Sequence, residues 1–155
     1  MKKILLYILL LTAVAAIPQQ GTDVGKLLPV ELVWLDRVED QVLVSTDVGA
    51  GGIGPTVKDA IENMKETTAG EIFLDTADFL LVTERGQEEL ASIKELLKPS
   101  VRVCVANSEM DLKDAASYLA VHKPLVRLRQ CSSLKELPIL AEENGKIILK
   151  ENEKT

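Results

Sequence analysis

Short β-prone runs rich in Val, Leu and Ile alternate along this chain with segments whose apolar residues recur at helical spacing. That alternation restricts the fold more than any other feature, because each kind of element must bury its apolar face on the other. Glu31–Val38 and Gln41–Asp47 are two β-prone runs separated by Glu39-Asp40, a pattern that predicts a hairpin. Thr56 stands where a helix N-cap would, and Val57, Ala60, Ile61 and Met64 follow at i, i+3, i+4, i+7. Glu71–Val82 reads as strand with a polar interruption at Asp75-Thr76. Glu84–Lys98 reads as a second helix, with Leu90, Ile93 and Leu97 on one side and Pro99 just beyond it. Val101–Ala106 is almost wholly apolar, as a strand covered on both faces requires. A third helix, Asp111–His122, turns Leu112, Ala115, Ala116 and Leu119 inward and stops before Pro124. Val126–Gln130 reads as a short strand, and Asn144-Gly145 between Ile139–Glu143 and Lys146–Lys150 predicts a terminal hairpin. The expected fold class is α/β, with α+β as the alternative: a mixed sheet of about five to seven strands carrying three helices.

The chain opens on a different pattern. Lys2 and Lys3 precede the uncharged run Ile4–Ala16, which closes on the small residues Ala13, Ala15 and Ala16. This is the layout of a secretory signal peptide over residues 1–16, with cleavage after Ala15 or Ala16. The run ends at Ile17-Pro18, short of the roughly 20 apolar residues a spanning helix needs. An uncleaved N-terminal anchor is the competing reading. Residues 17–28 then form a linker, 29–151 a single α/β domain, and 152–155 a frayed, charged tail. The protein is therefore expected to be exported, either secreted or held at the extracytoplasmic face of the membrane.

Charge and composition exclude several functions. With 18 Lys and Arg against 24 Asp and Glu, the net charge is −6. Once Lys2 and Lys3 leave with the leader, 16 basic residues face 24 acidic ones, a net of −8. An acidic body without a basic stripe argues against nucleic acid as a partner. Aromatic residues make up 3% of the chain, too few for a base-stacking platform. Two cysteines, Cys104 and Cys131, and one histidine, His122, match no zinc-site spacing, so no metal or other cofactor is expected. In an exported protein the two cysteines either form a disulfide or pack as separate buried thiols.

The motif that bears most directly on chemistry is Gly49-Ala50-Gly51-Gly52-Ile53-Gly54, which fits G-x-G-x-x-G between a strand and a helix. As a dinucleotide site it fails on two counts. The strand before it is the second arm of a hairpin, and Pro55-Thr56 start the helix after the last glycine rather than within the motif. A flexible connector is the simpler account, and a lid over a small ligand, using Gly49, Gly51, Gly52 and Gly54 with Asp75 and Asp78, is the functional one. Asp75 and Asp78 are candidates for cation binding or acid–base work, but at i, i+3 on a strand they point to opposite faces. His122 ends the third helix, where an imidazolium suits the helix dipole. Arg102, Arg127 and Arg129 are candidates to receive an acidic ligand or to form internal salt bridges.

The order of these motifs resembles a known family. The Pro29–Asp47 hairpin, the glycine-containing Val48–Pro55, the helix Thr56–Glu66 and the stretch from Gly70 through Phe73, Thr76 and Leu80-Leu81-Val82 to Glu84 carry the likeness. A helix and the strand Val101–Ala106 follow in the same order. Over roughly residues 29–130 the chain is similar to the N-terminal domain of the Ger(x)C proteins, the C subunits of spore germinant receptors. Members are exported lipoproteins that act with integral-membrane A and B subunits, and the family contributes no catalytic residues. This chain departs from the pattern in two ways: Leu11–Ile17 has no lipobox cysteine, and the family's two further domains do not follow. The resemblance implies a non-enzymatic protein working through contacts with membrane or exported proteins. The alternatives are a small-ligand module built on the glycine-rich segment and a small hydrolase using Asp75, Asp78 and His122.

Overall fold

The computed structural model describes residues 24–151. The expected signal peptide, most of the linker and the tail lie outside the described residues. Twelve elements are needed to place the sites: β1 (Leu27–Pro29), β2 (Leu32–Val38), β3 (Gln41–Thr46), β4 (Gly51–Gly54), α1 (Val57–Thr67), β5 (Glu71–Phe73), β6 (Phe79–Thr83), α2 (Leu90–Lys94), β7 (Arg102–Ala106), α3 (Leu112–Val121), β8 (Ile139–Glu143) and β9 (Lys146–Lys150).

Seven of the strands form one mixed sheet in the order β4-β3-β2-β6-β7-β8-β9. Its centre, β2-β6-β7-β8, is parallel, and an antiparallel flank closes each side. β1 and β5 pair separately as a two-stranded parallel sheet, so Leu27 and Leu28, expected in the linker, belong to the folded body. The mixed sheet and its three helices match the expected fold class.

Alternation along the central strands sorts the core into two layers. Val33, Leu35, Leu80, Val82, Val103 and Val105 face α1, α2 and the segment around Leu128–Leu137. Leu32, Trp34, Phe79, Leu81, Cys104 and Ala106 face α3. This is the period-2 geometry of a strand buried on both sides. Burial of each large side chain stabilises the fold by roughly 1.5–3 kcal/mol before chain entropy is counted.

Local signals work where they carry backbone chemistry. Thr56, in extended conformation, accepts from the Asp59 amide at 3.2 Å, and α1 buries Val57, Ala60, Ile61 and Met64 as its spacing requires. Asp111 caps α3 by accepting from the Lys113 and Asp114 amides, both at 2.9 Å. In the terminal hairpin Asn144 and Gly145 take φ of 52° and 72°, positive at both positions as a type I′ turn demands.

Four expectations need correction. Gly49–Gly54 is not a flexible loop: Thr46–Ala50 closes a tight turn, with the Gly49 amide donating to the Thr46 carbonyl at 3.1 Å, and Gly51–Gly54 is strand β4. Its bonds go to β3, a pairing that glycine content hides because glycine is depleted in strands.

The single helix expected over Glu84–Lys98 is a 3₁₀ turn, Arg85–Glu89, followed by the short α2. Gly86 presses against β2 there: a Cβ on it would lie 2.8 Å from the Leu35 carbonyl oxygen. The strand expected over Glu71–Val82 splits into β5 and β6, members of different sheets, at the 3₁₀ turn Leu74–Thr76. Val126–Gln130 is no strand either. It makes one antiparallel bridge, Arg102 to Arg127, then turns into 3₁₀ over Leu128–Gln130, while β8 pairs with β7 farther along.

Candidate functional site

The sequence candidates do not assemble into one site. Gly52 and Gly54 lie under α1, where a Cβ would meet the Ala60 carbonyl oxygen at 2.0 Å and the Ala60 nitrogen at 2.7 Å. Helix backbone fills the space that a ligand held by these two glycines would need. Gly51 sits on the edge strand. Gly49 borders an open cleft of about 710 Å³ between the Thr46–Gly49 turn and Met110–Lys113.

Asp75 and Asp78 both stand exposed to solvent, on the 3₁₀ turn and just before β6. Asp78 accepts from Lys98 Nζ at 2.8 Å. Thr76, between them, is structural: its Oγ1 donates to the Val30 carbonyl at 2.9 Å and accepts from the Val30 amide at 3.0 Å. His122 is the C-cap of α3 and lies against the Tyr118 ring, centroids 4.4 Å apart. Arg102 donates to the Pro124 carbonyl at 2.7 Å and pairs with Arg127 across the bridge, and Arg127 and Arg129 are exposed. Among the described residues no group of three His, Cys, Asp or Glu side chains gathers as a metal site would require.

The disulfide reading is overturned. Cys104 and Cys131 are both free and buried, and the sheet separates them: Cys104 packs on the α3 side, Cys131 on the α1–α2 side. Burial pushes both thiols above their ordinary range, with Lys94 and a Ser133 backbone hydrogen bond partly opposing this at Cys131. Thiolate reactivity is therefore suppressed. A thiol reagent is expected to label neither cysteine rapidly in the native protein and both after denaturation, with no reductant needed. A native mass two protons lighter than the fully reduced chain would contradict this.

Two other features were not singled out in the sequence. The first is a crevice of about 410 Å³ at the carboxyl ends of β2, β6 and β7, lined by Trp34, Asp36, Thr83, Arg85 and the Asn107–Glu109 loop, among others. Asp36 is buried, with 5% of its surface exposed. It accepts from the Thr83 hydroxyl, from Arg85 Nη2 at 2.6 Å and from the Arg37 amide at 2.8 Å. The available signal was a carboxylate breaking the apolar run Leu32–Leu35 inside a strand. Its pairing partners come from β6 and the turn after it, so sequence spacing is silent about them.

The second feature is the exposure of two large apolar side chains around the end of α3. Val121 and Leu125 are 77% and 80% exposed, the most exposed large apolar side chains among the described residues. Leu125 also borders a groove of about 270 Å³ whose lining mixes Pro124, Val126, Pro138 and Leu149 with the charged Lys123, Glu136 and Glu151. Among the described residues no helix is long and apolar enough to cross a membrane.

Comparison of the chain with protein-family models, with curated proteins and with solved structures returned no match.

Proposed function

We propose that this protein is a non-enzymatic, exported binding domain of the kind found at the N-terminus of germinant-receptor C subunits, acting through protein contacts at a membrane surface. The observation that carries the reading is the exposure of Val121 and Leu125 around the end of α3, with Leu125 on the border of a groove lined by both apolar and charged side chains. Contiguous exposed apolar surface marks an interaction site, and Leu125 with Pro124, Val126, Pro138 and Leu149 brings apolar surface together in one place. The motif order over roughly residues 29–130 supports the family assignment. The dispersal of Asp75, Asp78 and His122, each engaged by local structure or left in solvent, favours binding over hydrolysis. The glycine-rich segment, packed under α1, gives little support to a ligand lid.

The test is a photo-crosslinker placed at Leu125 of the full chain, expressed in the source cell and activated on intact membranes. The expected result is a discrete adduct with one membrane or exported protein, weakened at least about fivefold by Val121→Asp, the order expected when a charge enters an apolar contact. Recovery of free, monomeric protein without an adduct would overturn the proposal.

A further inference from the structure

Topology alone opens the crevice at the strand ends. β6 and β7 are parallel neighbours, yet the chain leaves them for opposite faces: after β6 it runs to α2, after β7 to α3. Where adjacent connections diverge in this way, the carboxyl ends of the strands are left uncovered between them, and open α/β sheets bind ligands at that place. One wall of the crevice is Thr83, Glu84 and Arg85, following β6; the opposite wall is Ala106 to Glu109, following β7. Its volume, about 410 Å³, lies within the range of small-molecule sites. Trp34 and Asp36 also line a second cavity of about 200 Å³ together with Glu109, so the two spaces share a wall.

The chemistry of the lining sets the ligand class. At the floor, Asp36 and Arg85 form an ion pair at 2.6 Å and cancel each other's charge. With Asp36, Glu84 and Glu109 against the single Arg85, the lining as a whole carries net negative charge. Glu84 and Glu109 stand exposed on opposite walls, and neither has a cationic partner among the described residues. Trp34 is buried, with 7% of its surface exposed, so only a small part of it reaches the crevice. The hydroxyl of Ser108 and the amide of Asn107 add polar groups at the mouth.

We propose that this crevice binds a small organic cation, an ammonium-bearing molecule held between Glu84 and Glu109. The site is distinct from the Val121–Leu125 surface and does not depend on the partner-docking reading.

Trp34 is the only tryptophan in the chain, so intrinsic fluorescence reports on this crevice directly. The experiment titrates the full chain with 1,4-diaminobutane, with 1,4-butanediol as its neutral counterpart and with succinate as its anionic one. Amide NMR shifts of Asn107, Ser108 and Glu109 provide a second readout. The diamine is expected to give a saturable change in both, weakened by added salt and by about two- to fivefold in each of Glu84→Gln and Glu109→Gln, the effect of removing one exposed charge partner. Both glutamates are exposed, so neither variant threatens folding. The proposal is overturned if millimolar diamine moves neither readout, if butanediol or succinate binds as well as the diamine, or if both glutamine variants bind it unchanged.

Discussion

Replacing Gly52 by alanine is expected to lower the stability of the fold by about 3 kcal/mol or more, while the same change at its neighbour Gly51 alters it by no more than about 0.5 kcal/mol. The difference lies in what a single added carbon would meet. At Gly52 it would lie 2.0 Å from the Ala60 carbonyl oxygen, 2.5 Å from the Met64 nitrogen and 2.7 Å from the Met64 Cβ. Two of these are helix backbone atoms, which cannot turn aside as a flexible side chain can. α1 would have to lift off β4, and Ala60 and Met64, both fully buried, would lose their packing against the sheet. At Gly51 the nearest atoms are Ser45 Oγ at 3.4 Å and the Val44 carbonyl oxygen at 3.5 Å, an ordinary contact distance. Denaturant midpoints compared at constant m-value measure both changes. A loss of about 3 kcal/mol is a large share of the roughly 5–15 kcal/mol that holds a domain together, so the Gly52 variant should unfold at visibly lower denaturant. Equal effects at the two positions would remove the close-packing account and reopen a ligand role for the segment.

The second large effect is expected at Asp36, and it is asymmetric. Asp36→Ala should cost about 2–3 kcal/mol, because it leaves the Thr83 hydroxyl and the Arg37 amide without the acceptor they share at the carboxyl ends of β2 and β6. Arg85→Ala should cost less than about 1 kcal/mol. The Arg85 side chain is 65% exposed against 7% for Asp36, so water and salt screen its half of the pair, and the carboxylate keeps two other donors. Thermal or denaturant unfolding of the two single variants and the double variant separates the contributions. A double variant no worse than Asp36→Ala alone would show that the carboxylate organises the strand end and that the guanidinium follows it.

The Asp36 and Gly52 environments show where sequence reasoning stopped. The hydrophobic spacing of α1 and α3, the Thr56 and Asp111 caps and the Asn144-Gly145 turn are local: each is decided by residues within a few positions, and the structure matches them. The glycine-rich segment reads locally as a connector because the atoms that require Gly52 and Gly54 belong to a helix that packs back over the strand. Likewise, the segment Glu84–Lys98 has helical spacing, but Gly86 is held against the Leu35 carbonyl of β2, which leaves only a 3₁₀ turn and the short α2.

The chain by itself determined the helices α1 and α3 with their buried faces, the apolar central strands, both hairpins and the acidic, aromatic-poor composition, since these follow from residue identity and short-range spacing. Tertiary structure decided which strands neighbour which, and so decided everything about the sites. It put Cys104 and Cys131 on opposite sides of one sheet, brought Thr83 and Arg85 to Asp36, and sent the chain to opposite faces after β6 and β7. The reason is physical: a contact between residues nearly fifty positions apart depends on the order in which strands pair, and no local propensity encodes that order.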